Sequence, residues 1–353
     1  MHSRTFLVVA ALAAGLHFSP VLPAAEVPTS PTSPLTPVLE NPVRGALLPP
    51  PPMGAQPVKV SEIDGRIRVE IGGQLFTEYV YQETPRPYFY PLLGVDNTPM
   101  TRNFPMKKVE GEETDHKHHR SLWFTHGDVN GHDFWSEDKA FGKIVHKRFL
   151  KTASGNMGVI SSENDWVAAD GKTVCSDVRT MRFSGDGKAK FVDFEVTIRA
   201  DHGDVTFGDT KEGSMALRLN ESMRLKQPKG RPPGTGRIVN RAGVVDEQTW
   251  GKKSEWVYYY GPVGGKTVGA AMFDHPSNPR FPTWWHVRDY GLFAANPFGQ
   301  HDFEKKEKGA GDLKIVSGQS VTFRYRIVLT TGDEKAAGIE DHYKRYVGAP
   351  KSR

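Results

Sequence analysis

The sequence predicts an all-β fold, a large antiparallel β-sandwich. Residues 67–71, 190–199 and 321–329 alternate strictly between apolar and polar side chains. This alternation is typical of strands with one face on a core and the other towards water. Glycine-containing turns at 170–171 and 185–187 separate three consecutive runs of this kind. They predict an antiparallel meander.

A helix is predicted only near the end of the chain. Between residues 338 and 347, Ile339, Tyr343 and Val347 are spaced to share one helical face. The 36 glycines and 26 prolines suit a chain of many short strands and turns. No repeat of fixed period is visible, which argues against a propeller or a solenoid.

Two segments precede the predicted domain. Residues 1–25 have a basic start, an apolar run and small residues at the end, the pattern of a secretory signal peptide. Residues 26–57 are rich in proline and predict an extended linker. Residues 58–353 are expected to form a single β-sandwich domain. We therefore expect a secreted or periplasmic protein.

Composition excludes several partners. The 46 basic and 41 acidic residues are mixed along the chain, and no basic stretch carries the aromatic residues that would stack on bases. We expect no nucleic-acid partner. No stretch is long and apolar enough to span a membrane after signal cleavage. Cys175 is the only cysteine, so no disulfide forms within the chain, and its apolar neighbours favour a buried, inert thiol.

The densest group of reactive side chains lies between residues 115 and 128, which contain four histidines. In one interpretation a histidine acts as acid or base, for which its ordinary pKa is suited. The catalytic candidates are then His119 with Glu212, and His118 as the substitute. In the alternative, His116, His118 and His126 bind a divalent metal ion. Otherwise no cofactor is expected.

Arginine and aromatic residues cluster in the other motifs and predict a small-molecule site. Arginine offers a planar fork to hydroxyl or carboxylate groups, and tryptophan offers a flat face to a ring. The predicted substrate-binding residues are Arg86, Tyr88, Arg102, Arg120, Trp123, His126, Arg218, His286, Arg288, Asp289 and Asn296.

Five stretches carry a resemblance to a known family. They are residues 86–91 (RPYFYP), 118–124 (HHRSLWF), 126–131 (HGDVNG), 209–213 (DTKEG) and 288–299 (RDYGLFAANPFG). Together they resemble the proteins labelled "PmoA family" or "methane oxygenase PmoA". The resemblance implies an exported bacterial protein with a galactose-mutarotase-like supersandwich, a fold whose members bind sugars. It implies no catalytic residues for this chain.

These observations lead to one main hypothesis and two alternatives. The main hypothesis is an exported carbohydrate-active protein that binds a sugar or modified saccharide, with His and Glu acid–base chemistry for epimerisation, lyase action or glycoside hydrolysis. The alternatives are a metal-dependent enzyme that uses the histidine cluster and a non-catalytic carbohydrate-binding protein.

Overall fold

The computed structural model describes residue 52, residues 54–138 and residues 140–348. The predicted signal peptide and most of the predicted linker lie outside these residues. The strands are β1 Val58–Ile63, β2 Arg66–Ile71, β3 Gln74–Val80, β4 Tyr88–Leu92, β5 Leu122–His126, β6 Lys143–Ala153, β7 Gly158–Val167, β8 Thr173–Gly185, β9 Ala189–Arg199, β10 Val205–Phe207, β11 Gly213–Arg218, β12 Arg237–Asn240, β13 Trp256–Val263, β14 Lys266–Asp274, β15 Trp284–Val287, β16 Leu292–Asn296, β17 Leu313–Ile315 and β18 Ser320–Thr331. The α-helices are α1 Gln300–Glu304 and α2 Ile339–Val347.

The strands form two sheets of eight and a short pair. The first sheet has the order β1-β2-β3-β4-β5-β11-β16-β15, and the second has the order β12-β13-β14-β18-β9-β8-β7-β6. All neighbouring strands in both sheets are antiparallel. The prediction of a large antiparallel β-sandwich is confirmed.

The core lies between the two sheets because each strand turns alternate side chains inward. Phe124 and Met215 of the first sheet belong to the same buried cluster as Phe194 and Ile327 of the second. The alternation predicted for β9 and β18 is therefore that of core strands, and these two strands pair along their length. The predicted meander is also confirmed, since β7, β8 and β9 are neighbours.

Each sheet also has a second buried face. The predicted C-terminal helix is confirmed as α2, which packs Tyr343 and Tyr346 against Phe273 on the outside of the second sheet. The outside of the first sheet is covered by loops and aromatic residues, among them Trp135. We call this the outer face of the first sheet. Among the described residues, no helix is long and apolar enough to cross a membrane.

The single cysteine is placed as predicted. Cys175 lies on β8 and is buried in the core. Burial raises the pKa of its thiol well above the ordinary value. The thiolate is the reactive form, so this cysteine is unsuited to nucleophilic chemistry.

Candidate functional site

Four strands of the first sheet place one row of side chains across its outer face. Trp123 on β5 lies opposite Ala216 on β11, which lies opposite Ala294 on β16. Ala294 in turn lies opposite His286 on β15. The two alanines thus lie between the indole of Trp123 and the imidazole of His286. The strands that carry these two rings are three strand spacings apart, roughly 14 Å. The two ends of this row carry different chemistry.

At one end, four rings form a stack, which we call the ring stack. Tyr290, His116, His119 and Trp123 follow one another with ring centroids 5.2, 4.8 and 5.4 Å apart and planes within 23° of parallel. The ring of His118 meets His119 edge-on at 4.6 Å. The histidines precede β5 in a turn, in which the His119 amide donates to the His116 carbonyl. Aromatic contacts therefore fix their orientation.

Arg86 and Arg120 both bind the carboxylate of Glu137. The guanidinium of Arg86 is fully buried and donates to Glu137 and to the carbonyls of His118 and Trp135. Arg120 donates to both carboxylate oxygens of Glu137, at 2.8 and 2.6 Å. Its guanidinium lies over the ring of Tyr88. Both arginines thus form hydrogen bonds with residues around the ring stack. Although they were predicted to bind substrate, their partners in the structure are groups of the protein itself.

A second pair of buried arginines shares Asp115. Arg102 and Arg218 both donate to its carboxylate, and Arg102 also donates to the backbone carbonyls of Asp115 and His116. Arg218 lies 3.2 Å from His119 Nδ1. Since arginine can only donate, Nδ1 accepts and the neutral ring of His119 carries its proton on Nε2. Burial, followed by the charge of Arg218, holds the pKa of His119 well below its ordinary value.

The other end of the row is His286, and the carboxylate of Glu212, in the loop before β11, lies near it. His286 Nδ1 lies 2.7 Å from the Lys211 carbonyl, so Nδ1 carries the proton and Nε2 has a lone pair. No described residue makes a hydrogen bond to Nε2. Burial lowers the pKa of His286 to about 4, although the Lys211 carbonyl and the charge of Glu212 act in the opposite direction. His286 is neutral at pH 7.

Glu212 stays ionised beside this neutral imidazole. Burial alone would raise the pKa of its carboxyl, but a hydrogen bond from Thr210 and the ammonium of Lys211, 3.0 Å away, lower it. The loop is held by Asn296, whose amide donates to the Thr210 carbonyl. Asn296 also accepts from the Phe298 amide, so this predicted binding residue supports the loop.

Arg288 lies between the two ends. It directly follows β15, the strand that carries His286, and its guanidinium lies 5.6 Å from the ring centre of Tyr290. No described residue makes a hydrogen bond or ion pair with its guanidinium, although its backbone amide donates to the Leu292 carbonyl. Its charge lowers the pKa of His286, and it opposes the rise that burial causes in the pKa of Tyr290. Next to it, the Asp289 carbonyl accepts from the Lys226 amide, and the Asp289 side chain has no partner among the described residues.

His126 was predicted to bind substrate or metal, and the structure places its ring in the core. Strand β5 begins only at Leu122, so His126 lies in phase with Leu122 and Phe124, which face the core. Its ring packs 4.5 Å from Phe298, and Nε2 is bonded to the Gly208 carbonyl at 2.8 Å. The sheet therefore separates it from His116 and His118, which lie outside. Within 54–138 and 140–348, no group of three His, Cys, Asp or Glu residues is arranged to hold a metal ion.

The proposed pairing of His119 with Glu212 is not made. His119 stacks on Trp123, which lies opposite Ala216, whereas Glu212 comes four residues before Ala216, about 13 Å along the chain. The charge of Glu212 acts on the imidazoles of His286 and His126. Trp123 is likewise covered by His119 and unavailable to stack on a sugar.

Sequence reasoning missed the carboxylates that hold the arginines. Asp115 and Glu137 were not assigned a role, and neither were Tyr290 and Lys211. A signal was present for the carboxylates, because arginines clustered in apolar motifs need anionic partners when they are buried. The partners themselves lie on loops, and nothing in their local sequence marks them.

The family of the chain follows from a sequence match. Residues 66–344 match the profile of DUF6807, a family of unknown function. The chain belongs to this family. No curated protein matches its sequence. The resemblance to proteins labelled PmoA stays a prediction, since the description of DUF6807 carries no such label.

Several solved structures are similar to this DUF6807 member. One is a β-arabinopyranosidase, at 11% identity and a TM-score of 0.31, covering 81% of this chain and 40% of that chain. Another is a putative aldose 1-epimerase from Escherichia coli K12, at 12% identity and a TM-score of 0.27. The match covers 79% of this chain and 99% of that chain. A third is a galactose mutarotase related enzyme from Lactobacillus acidophilus, at 9% identity and a TM-score of 0.23. The match covers 78% of this chain and 97% of that chain. This chain thus spans less than half of the arabinopyranosidase, and likenesses this distant say nothing of its own activity.

Proposed function

We propose that this protein is an exported carbohydrate-active enzyme that binds a saccharide on the outer face of the first sheet and moves a proton with His286. The observation that carries the proposal is the state of this imidazole. Its Nδ1 proton is fixed by the Lys211 carbonyl, its Nε2 lone pair is unpartnered among the described residues, and the ionised Glu212 lies beside it. A general base needs these three properties.

The geometry favours proton abstraction over glycoside hydrolysis. Hydrolysis requires a carboxylic acid that stays protonated until it reaches the glycosidic oxygen. The pKa of Glu212 is lowered, which is the opposite shift. In the proposed reaction His286 Nε2 accepts a proton from the substrate, and the charge of Glu212 stabilises the imidazolium that forms. Epimerisation and lyase action both begin in this way.

The experiment has two stages. A broad glycan screen identifies oligosaccharides that the protein binds, and these are then tested for turnover by NMR. We expect His286→Gln and Glu212→Gln to keep binding within a few fold and to lower turnover by about 10²- to 10⁴-fold, the usual contribution of a general base. His202→Gln is the matched control, because His202 is a half-exposed histidine beside an aspartate, Asp201.

Two results would overturn the proposal in different ways. Undiminished turnover in His286→Gln would remove the role of this imidazole. Glycan binding without turnover of any bound glycan would leave a non-catalytic carbohydrate-binding protein. Export is tested separately, by locating the full-length chain in cell fractions and by sequencing its mature N-terminus. An intact N-terminus in the cytoplasm would contradict it.

A further inference from the structure

The arginines of the outer face differ in whether a carboxylate holds them. Arg86 and Arg120 have Glu137, and Arg102 and Arg218 have Asp115. In both groups one carboxylate accepts from two guanidiniums. Arg288 differs from these four, because its guanidinium has no hydrogen bond or ion pair with any described residue, and the ring of Tyr290 lies 5.6 Å from it. It is partly buried, so its charge is less well hydrated than that of a surface arginine.

The surroundings of Arg288 suit an anion better than a cation. Arg288 itself, Lys211 and the second arginine pair bring positive charge to this part of the outer face. Of the carboxylates nearby, Glu212 binds Lys211 and Asp115 binds Arg102 and Arg218, so these charges offset one another, and the Asp289 carboxylate has no partner among the described residues. The guanidinium of Arg288 is held by none of them, so it attracts an anionic ligand and repels a metal ion.

We propose that the substrate is an acidic saccharide, a uronate, whose carboxylate binds the guanidinium of Arg288 while His286 faces the adjoining carbon. This rests on the proposed function and names its substrate class. The planar fork of arginine matches the two oxygens of a carboxylate, which gives orientation as well as affinity. Arg288 lies two residues after His286, just beyond the end of β15, and its charge acts on that imidazole, so one sugar ring can contact both.

A carboxylate at this position would assist the chemistry of His286. The carbon that bears it holds an acidified hydrogen, which Nε2 takes as a proton while the electron pair passes into the carboxylate bound by Arg288. The intermediate then takes a proton from water on its other face, which inverts the carbon, and the imidazolium of His286 returns its proton to the solvent. Alternatively the intermediate forms a C=C bond and expels the neighbouring oxygen substituent, which leaves with the proton. Both routes conserve atoms and electrons.

Binding would also make His286 a stronger base. The groups that face it are Lys211 and Glu212 from the loop before β11, Arg288 from the turn after β15, and the rings of Trp250 and Phe303. Two of the three charges are positive, and Arg288 is one of the causes that lower the pKa of the imidazole. A bound carboxylate compensates Arg288 and moves this pKa upward, towards the operating pH.

The test uses matched glycans and matched variants of the full chain. Oligosaccharides of glucuronate, galacturonate and mannuronate are compared with the same oligosaccharides after chemical reduction of their carboxyl groups, and with sulfated neutral oligosaccharides. Affinity is measured by calorimetry for the wild type, Arg288→Gln, Arg288→Lys and Arg148→Gln. Arg148 is an exposed arginine on β6 of the second sheet, so its loss removes the same charge far from the site.

We expect the wild type to bind at least one uronate about 10- to 100-fold more tightly than its reduced form, the usual contribution of hydrogen bonds to a charged group. Arg288→Gln should lose this preference, with affinity for the reduced form unchanged, and Arg288→Lys should keep part of it. Arg148→Gln should match the wild type. Thermal unfolding of each variant shows that the fold is intact.

The contrary outcomes separate this inference from the proposed function. Equal binding of a uronate and its reduced form overturns the inference and leaves a neutral saccharide as substrate. A preference for uronates that survives in Arg288→Gln places the carboxylate elsewhere and also overturns it. If sulfated neutral glycans bind more tightly than the uronates, the anionic group of the ligand is a sulfate, which overturns the inference as well. Failure to bind any saccharide removes the proposed function, and the inference with it.

Discussion

Replacement of Glu137 by glutamine tests the support beneath the ring stack. The side chain of Glu137 is 7% exposed, and that of Arg86 is not exposed at all. Glutamine keeps one acceptor but turns an amide NH₂ towards two guanidiniums, which leaves buried positive charge without compensation. Removing one partner of a buried ion pair costs about 3–5 kcal/mol. For roughly 300 residues the unfolding entropy is about 0.6 kcal/mol/K, so Tm should fall by about 5–8 °C.

Glu163→Gln provides the matched control. Glu163 also binds two arginines, Arg148 and Arg199, but their side chains are 68% and 45% exposed. Water can hydrate them when the carboxylate is lost, so we expect a cost below about 1 kcal/mol. Both variants are measured by calorimetry and by urea unfolding. Equal and small losses in the two variants would refute the reasoning, because water would then reach Arg86 as easily as a surface arginine.

Three further predictions follow from the structure. Burial lowers the pKa values of His118, His126 and His286 to about 4 from the ordinary 6.5, so the unfolded chain takes up their protons first. Urea midpoints should fall as the pH drops from 6.5 towards 4, and His126→Gln should reduce the proton uptake on unfolding; a flat profile would contradict this. Elemental analysis of untagged protein should find no stoichiometric divalent metal, and one metal per chain would revive the metal alternative. In Gly127→Ala the new Cβ would lie 2.7 Å from that of Glu212, so kcat for an identified substrate should fall, and an unchanged kcat would exclude a positioning role for this contact.

The strands that were predictable from the sequence are those with one face on the core. In β9 and β18 the alternation of apolar and polar residues is strict because the inner face meets the opposite sheet. The order of strands was not predictable. Strand β11 lies between β5 and β16, which are distant in sequence, and such pairings depend on the whole chain. Local patterns carry no information on them.

The candidate site was predictable in composition and only partly in arrangement. The predicted residues Arg288 and His286 lie close together at the end of β15, and the charge of Arg288 acts on the imidazole. His126 was misplaced because the position at which β5 begins decides which face each later residue occupies. The proximity of Glu212 to His286 was not predictable, because sequence does not show which loops meet or how far apart the ends of a strand place them.

Two kinds of arginine on the outer face explain why residue type alone misidentified the site. A guanidinium buried in the fold needs a carboxylate in the same chain, since an unpaired buried charge costs several kcal/mol. Arg86, Arg102, Arg120 and Arg218 meet this requirement, and their hydrogen bonds are directed at loops of the protein. A guanidinium intended for a ligand must instead keep its donors available and therefore stays partly hydrated until the ligand arrives. Arg288 is in this second state, so its substitution should alter ligand affinity far more than stability, the reverse of what Glu137→Gln should show.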